Sequence, residues 1–217
     1  RDDEFGGSIE NRMRLLLDTI AEVRAAVGQG FPVAVKLNSS DQLQGGLEQA
    51  DALKVVAALD GTSLDLIDIS GGTYFPGAKS ASDGAGRGPY FIEFAKRARK
   101  MTTKPLMLTG GFKTQMQAED AIESGAVDVV GLARALTLVP SLPNLWMSEQ
   151  MPEPQFPRFS DAPEGGITAW YTMRLTEIGF DEETSKVGDL GQAIMAYEAR
   201  DRTRTKIWLR HFGKKIG

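Results

Sequence analysis

The sequence predicts an α/β fold with a parallel sheet, because short apolar strands alternate with amphipathic helices along most of the chain. Four such strands begin roughly 25 to 40 residues apart, which fits one strand, one helix and two loops per unit. The strands are nearly all apolar, as parallel strands covered on both faces are. These observations favour consecutive βα units in a single sheet.

The first predicted element is a helix over residues 9–27, where apolar residues recur at spacings of three and four. Ser8 is a suitable N-cap for this helix, and Gly28 follows its last turn. A strand is predicted next at 33–37, and a second helix follows it at 48–59.

The remaining units repeat the pattern, and Gly-Gly pairs end two of the strands. Thr114 and Gln117 form a capping-box pattern for a helix that should stop at Gly125. The other predicted elements are a strand at 65–70, a Gly-rich loop at 77–88, a helix at 89–101, strands at 105–109 and 127–132, a Pro-rich extended connection at 140–165 and helices at 166–178 and 190–211.

The composition argues against several classes of function. The formal net charge is −4, and no stretch combines cations and aromatics as a nucleic-acid surface would, so we expect no nucleic-acid partner. There are no cysteines, which excludes disulfides, thiolate nucleophiles and Cys-bound zinc. The apolar runs are too short to span a bilayer, so a cytoplasmic protein without a membrane partner is expected. Because the chain begins at Arg1 and enters a helix almost at once, we expect a piece of a longer protein.

Two strand ends carry features of a phosphate site. Gly110 and Gly111 follow the third strand, and glycines let backbone N–H groups approach an anion closely. Gly131 and Arg134 follow the fourth strand at the start of a short helix, where the helix dipole and a guanidinium both favour an anion. Each motif alone is more typical of a tight turn, but adjacent strands would place the two together.

Lys36 interrupts an otherwise apolar strand, and a buried lysine is costly unless it is paired. A structural partner such as Asp68 or Asp65 is one interpretation, and a ligand oxygen or an electron-rich flavin edge is the other. Asp68 and Ser70 could themselves contact a ligand or only tie loops together. His211 is the only histidine and is expected at the surface. Without a second histidine, no His-based metal triad and no Ser-His-Asp arrangement can be assembled.

Five segments together carry a family resemblance. They are 1–12 (RDDEFGGSIENR), 35–41 (VKLNSSD), 68–73 (DISGGT), 108–112 (LTGGF) and 128–134 (DVVGLAR). In order and spacing they resemble the Old Yellow Enzyme family, also called NADH:flavin oxidoreductases, whose segment R-x-D-x-[YF]-G-G-S-x-E-N-R is highly specific. The resemblance extends from residue 1 to about residue 147.

The resemblance implies a TIM-type (β/α)8 barrel that binds FMN at its strand ends. Because the family's opening segment follows its fourth strand, residues 1–147 should supply strands five to eight, and residues 148–217 a Pro-rich connection and C-terminal helices. The resemblance also implies cofactor-binding residues. Gly110, Gly111, Gly131 and Arg134 would hold the FMN phosphate, and Lys36 would lie near the pyrimidine edge of the isoalloxazine, where well-known members carry arginine.

The expected activity is that of an FMN-dependent oxidoreductase, reduced by NADH or NADPH and reoxidised by an activated alkene or another small acceptor. The family's substrate-orienting His/Asn or His/His pair and its proton-donating Tyr would lie in the missing half, so no catalytic residue is assigned here. Four strands cannot close a barrel, so a partner is expected, either the N-terminal half or a second copy of the chain. The alternatives are a non-catalytic half-barrel that holds flavin or phosphate, and an unrelated phosphate-binding barrel.

Overall fold

Four strands form one parallel sheet within the first of two units of the chain, Arg1–Ala133. In this computed structural model their order in the sheet follows their order in the chain, β1-β2-β3-β4. The strands are β1 (Ala34–Asn38), β2 (Leu66–Ser70), β3 (Leu106–Thr109) and β4 (Val129–Gly131). Each pairs with its predecessor in parallel, which confirms the predicted parallel α/β sheet.

The structure describes residues 1–72, 88–148, 150, 153–182 and 188–213. Most of the predicted Gly-rich loop, as well as Thr73 of one family-like segment, lies outside the described residues.

Four helices accompany the strands of the first unit, and their bounds lie close to those predicted. They are α1 (Ile9–Val27), α2 (Gln49–Asp60), α3 (Ile92–Arg99) and α4 (Gln115–Glu123). The hydroxyl oxygen of Ser8 accepts from the N–H of Asn11 at 3.3 Å, and that of Thr114 accepts from Gln117 at 3.2 Å. Both predicted N-caps are therefore confirmed.

The two faces of the sheet differ in character. Ile67, Ile69, Leu106 and Leu108 are fully buried, and Ile67 pairs with Leu106 while Ile69 pairs with Leu108. The alternate positions, such as Asp68 and its register partner Met107, are only partly buried. One face of the sheet is therefore buried, and the other is partly open and carries polar side chains.

The second unit, Arg134–Gly217, contains only helices among its described elements. They are α5 (Arg134–Leu138), α6 (Leu142–Met147), α7 (Gly166–Ile178) and α8 (Leu190–Phe212). The predicted extended connection at 140–165 was wrong at its start, because α6 occupies Leu142–Met147. Its proline stands in the first turn, where the missing N–H would have no helical partner in any case.

Residues 200–206 of α8 are polar on every side, a pattern that predicts exposure. Arg200 and Asp201 are nevertheless half-buried, and Arg200 donates to the hydroxyl of Thr176 at 3.1 Å. Arg200 therefore ties α8 to α7. No helix in the described parts of the chain is both long enough and apolar enough to cross a membrane.

Candidate functional site

The open face of the sheet carries a row of polar groups across three strands. Lys36 stands in the middle of β1, and its Nζ lies 3.5 Å from Oδ2 of Asp68, its register partner on β2. Thr109, the last residue of β3, donates its hydroxyl to the other carboxylate oxygen of Asp68 at 2.9 Å. Asp68 thus links the cation of one edge strand to the end of the third strand.

The structure decides between the two partners considered for Lys36. Asp68 is the partner. Asp65 lies elsewhere, where it accepts the N–H of Val33 at 2.7 Å and pairs with Arg24 at 2.5 Å. The pKa of the Asp65 carboxyl is lowered from its usual value, mainly by the hydrogen bond from the Val33 N–H and next by that from Arg24.

Lys36 is not buried as its apolar neighbours in sequence suggested. More than half of its side chain, 58%, is exposed, against 16% for Asp68. The lysine head therefore reaches solvent from the open face, and its pairing with Asp68 leaves room for a further ligand on the ammonium group.

A second polar cluster stands at the carboxyl ends of β1 and β2. The Asn38 side-chain amide donates to the carbonyl of Gly72 and to the carboxylate of Asp41, each at 3.0 Å. Its oxygen accepts from the hydroxyl of Ser70 at 3.2 Å. These bonds tie the two loops together, which is the structural alternative considered for Ser70.

Gly110 and Gly111 form the turn after β3, and both have positive φ, +125° and +87°. A Cβ on Gly111 would collide with the carbonyl oxygen of Gly88, so the turn requires glycine there. The carbonyl of Gly110 accepts from the N–H of Tyr90 at 3.2 Å, which holds the turn in place. Within the described residues, the N–H groups of Gly110 and Gly111 donate to no protein oxygen. Two successive N–H groups are thus available to an anion.

Gly131 ends β4 and is buried beside Thr109, its register partner. A Cβ at this position would collide with the Thr109 hydroxyl oxygen and would also come within 2.7 Å of the methyl carbon of Met107. The absence of a side chain therefore lets β4 approach the same threonine that binds Asp68.

Arg134 begins α5 in the second unit, where its guanidinium carbon lies 5.3 Å from the centroid of the Tyr171 ring. This distance is that of a cation–π contact. Tyr171 is 9% exposed, and its burial raises the pKa of its phenol while the charge of Arg134 opposes that rise.

Sequence reasoning missed two contributors, the hydroxyl of Thr109 and the ring of Tyr171. Thr109 carried a signal, because Lys36 and Asp68 are register partners and Thr109 lies two residues beyond Met107, the partner of Asp68 on β3. All three residues therefore lie on one face of the sheet. Tyr171 carried none, since nothing in the sequence pairs it with Arg134. His211 is exposed on α8, as expected.

Three comparisons bear on what this arrangement is. The model of the NADH:flavin oxidoreductase / NADH oxidase family matches residues 1–150. Among curated relatives, the NADH-dependent flavin oxidoreductase iliE of Hypocrea jecorina is 36% identical over 156 residues, covering 68% of this chain and 39% of that protein. The chain therefore spans well under half the length of that relative.

Solved structures with the same fold include 2-naphthoyl-CoA reductase in complex with 2-naphthoyl-CoA. Its TM-score is 0.63 at 26% identity, and the match covers 68% of this chain and 23% of that one. The Old Yellow Enzyme homologue from Zymomonas mobilis has a TM-score of 0.56 at 24% identity, with 76% of this chain and 45% of that one covered. This second likeness speaks for the fold alone.

Proposed function

Because this chain belongs to the NADH:flavin oxidoreductase / NADH oxidase family, we propose that it supplies strands five to eight of an FMN-dependent oxidoreductase barrel and holds the phosphate of the cofactor. One observation carries the proposal. The Gly110-Gly111 turn presents two N–H groups without a protein acceptor among the described residues, directly after Thr109, whose hydroxyl donates to Asp68, the partner of Lys36.

The glycines fit an anion such as the FMN phosphate. Two successive glycines in a turn leave consecutive backbone N–H groups without a Cβ beside them, so an anion can approach both closely. Gly131, at the end of the next strand, would form another part of the phosphate site, because it has no Cβ to fill the space beside Thr109.

Arg134 is assigned to the phosphate by the family resemblance and by its chemistry. A guanidinium offers two parallel donors to phosphate oxygens, and the Tyr171 ring, itself largely buried, restricts where that group can lie.

Lys36 is assigned to the pyrimidine edge of the flavin. FMN would supply the redox chemistry, accepting hydride from NADH or NADPH and passing it to an activated alkene or another acceptor. Lys36 would place a positive charge beside that ring, and its contact with Asp68 would orient the ammonium group. A single ammonium lacks the planar fork of arginine, so the contact would be one of charge more than of paired hydrogen bonds.

The rest of the barrel has to come from outside the 217 residues. Strands β1 and β4 each have one unpaired edge among the described residues, so the N-terminal half or a second copy of the chain is proposed as the partner. The substrate-orienting and proton-donating groups of the family would then come from that half. The second candidate function, a flavin-binding half without turnover, is favoured by the lack of an assigned catalytic residue here.

The test is equilibrium dialysis of the 217-residue chain against FMN and against riboflavin, with visible absorbance spectra of the retained flavin. We expect FMN to be retained and riboflavin to bind at least about tenfold more weakly, because charge-assisted hydrogen bonds contribute about 1.5–3 kcal/mol. Arg134→Ala should abolish most of this difference, whereas Arg158→Ala, which removes an exposed arginine of the same unit, should leave it unchanged.

Equal retention of the two flavins, or no retention of either, would refute a phosphate site in this chain. NADPH-driven turnover after addition of the N-terminal half would distinguish the enzyme from the binding module. Retained flavin without turnover in that assay would leave the second candidate function.

A further inference from the structure

The last turns of α8 form an exposed surface that contains none of the residues of the proposed flavin site. Residues 202–213 are all exposed, although they include Ile207, Trp208, Leu209 and Phe212. About half of each of these four side chains is exposed, from 49% to 53%. Such a concentration of large apolar side chains on one exposed helix is typical of an interaction surface.

Three of these side chains lie on one face. At about 3.6 residues per turn, Trp208, Leu209 and Phe212 fall within one stripe of the helix. The Trp208 and Phe212 rings contact each other, with centroids 5.6 Å apart, so the stripe is continuous. We call Trp208, Leu209 and Phe212 the apolar stripe.

Cations flank the apolar stripe on both sides. Arg204 lies one turn before Trp208, and Lys206 lies one turn before Leu209 on the opposite border, with Arg210 beyond it. Arg202 is also exposed but pairs with Glu198 at 3.4 Å. From residue 202 to residue 217 the sequence has six lysines and arginines and no Asp or Glu, in a chain whose net charge is −4.

We propose that residues 202–213 lie on the surface of a membrane that contains anionic lipids, with the apolar stripe inserted between the headgroups. A basic amphipathic helix with Trp, Leu and Phe on its apolar face is suited to this interface. Lysine and arginine at the borders of the stripe can keep their charges among the headgroups while their stems stay in the apolar layer.

The charges around the apolar stripe favour an anionic membrane over a second copy of the chain and over a nucleic acid. Two copies of the helix packed through their stripes would bring like charges together at both borders, which opposes a dimer through this face. A nucleic acid would satisfy the cations but would leave Leu209 and Phe212 without an apolar phase to enter. The proposal departs from the expectation of no membrane partner, which rested on the lack of a long apolar run, and it is independent of the proposed flavin site.

The test is flotation of the 217-residue chain with vesicles of phosphatidylcholine, with or without about 30% phosphatidylserine. We expect binding to the anionic vesicles only, weaker at high salt. Trp208→Ser with Phe212→Ser should reduce binding at least about tenfold, because two large apolar side chains would be lost from the inserted face. Phe31→Ser with Met116→Ser, which removes two apolar side chains of the first unit that are even more exposed, should not reduce it.

A second variant tests the charges. Replacing Arg204, Lys206 and Arg210 by Gln should lower the affinity for anionic vesicles about fivefold for each cation removed. Circular dichroism of both variants checks that α8 still forms.

Three results would overturn the proposal. They are absence of flotation, equal binding to neutral vesicles, and undiminished binding of the Trp208→Ser/Phe212→Ser chain. A concentration-dependent dimer in sedimentation that this variant abolishes would instead assign the stripe to a second copy. Displacement of the chain from vesicles by a DNA duplex would assign the cations to nucleic acid.

Discussion

The guanidinium carbon of Arg134 lies 5.3 Å from the centroid of the Tyr171 ring, so a residue proposed to bind phosphate rests on an aromatic side chain of α7, in the same unit. Only the first of these two residues lies within the part of the chain that the family model matches. The contact therefore indicates that α7, outside that match, positions a group of the proposed cofactor site.

The first prediction concerns this contact. Tyr171→Leu should weaken FMN binding about twofold to thirtyfold, because a cation–π contact contributes about 0.5–2 kcal/mol. Tyr171→Phe keeps the ring and should bind FMN almost as well as the unchanged chain. Equilibrium dialysis measures both, with riboflavin as the control ligand. If Leu and Phe variants bind alike, the ring does not position Arg134.

The second prediction concerns the close approach of β3 and β4. Gly131→Ala should lower the free energy of unfolding by about 1–3 kcal/mol, because its Cβ would meet the Thr109 hydroxyl oxygen. Combining it with Thr109→Ala should cost less than the sum of the two single changes, since the second removes that oxygen. Urea unfolding of the four chains measures this coupling, and strict additivity would contradict it.

The third prediction separates charge from stability at Lys36. Lys36→Met should change the free energy of unfolding by no more than about 1 kcal/mol, because the lysine is largely exposed and exposed ion pairs contribute little. The same change should make the midpoint potential of bound FMN more negative, since a cation near the ring would no longer stabilise the added charge. An unchanged potential in the assembled barrel would place Lys36 away from the flavin.

The fourth prediction is a pH dependence. The hydrogen bonds from Val33 and Arg24 lower the pKa of Asp65 in the folded chain, so its stabilisation is present above the unfolded pKa and disappears as the pH falls through the folded pKa. Asp65→Asn should therefore lower the melting temperature at pH 7, and the difference should shrink below about pH 4. Asp120→Asn, an exposed change on α4, is the control. A difference that stays constant down to the acid transition would contradict the assignment.

Sequence reasoning located most of the fold because the signals there are local. The N-caps at Ser8 and Thr114 and the apolar spacing of α1 depend on residues within a turn or two of one another. Lys36 shows the limit. Its apolar neighbours in sequence suggested burial, but exposure depends on what covers the open face of the sheet. Burial of Arg200 against Thr176 likewise depends on α7, which no pattern within α8 reveals.

Some features of the candidate site could likewise be predicted from the sequence, whereas others required the structure. The glycines after β3 were identifiable because they follow a predicted strand next to the one that Gly131 and Arg134 follow, although Gly-Gly alone is more typical of a tight turn. Their dependence on Gly88, and the link from Gly131 through Thr109 to Asp68, required the register of the strands. The placement of the FMN groups on these residues stays a prediction until the dialysis experiment is done.

The order of the strands also has a consequence for folding kinetics. Because each strand pairs with the one before it, every pairing closes a loop of only about 20 to 40 residues, and doubling such a loop costs only about 0.6 kcal/mol. The sheet can thus grow one strand at a time, in the direction of synthesis, without waiting for a distant segment. In a ribosome-bound chain stalled after β2 has emerged, the backbone amides that pair β1 with β2 should already be protected from hydrogen exchange.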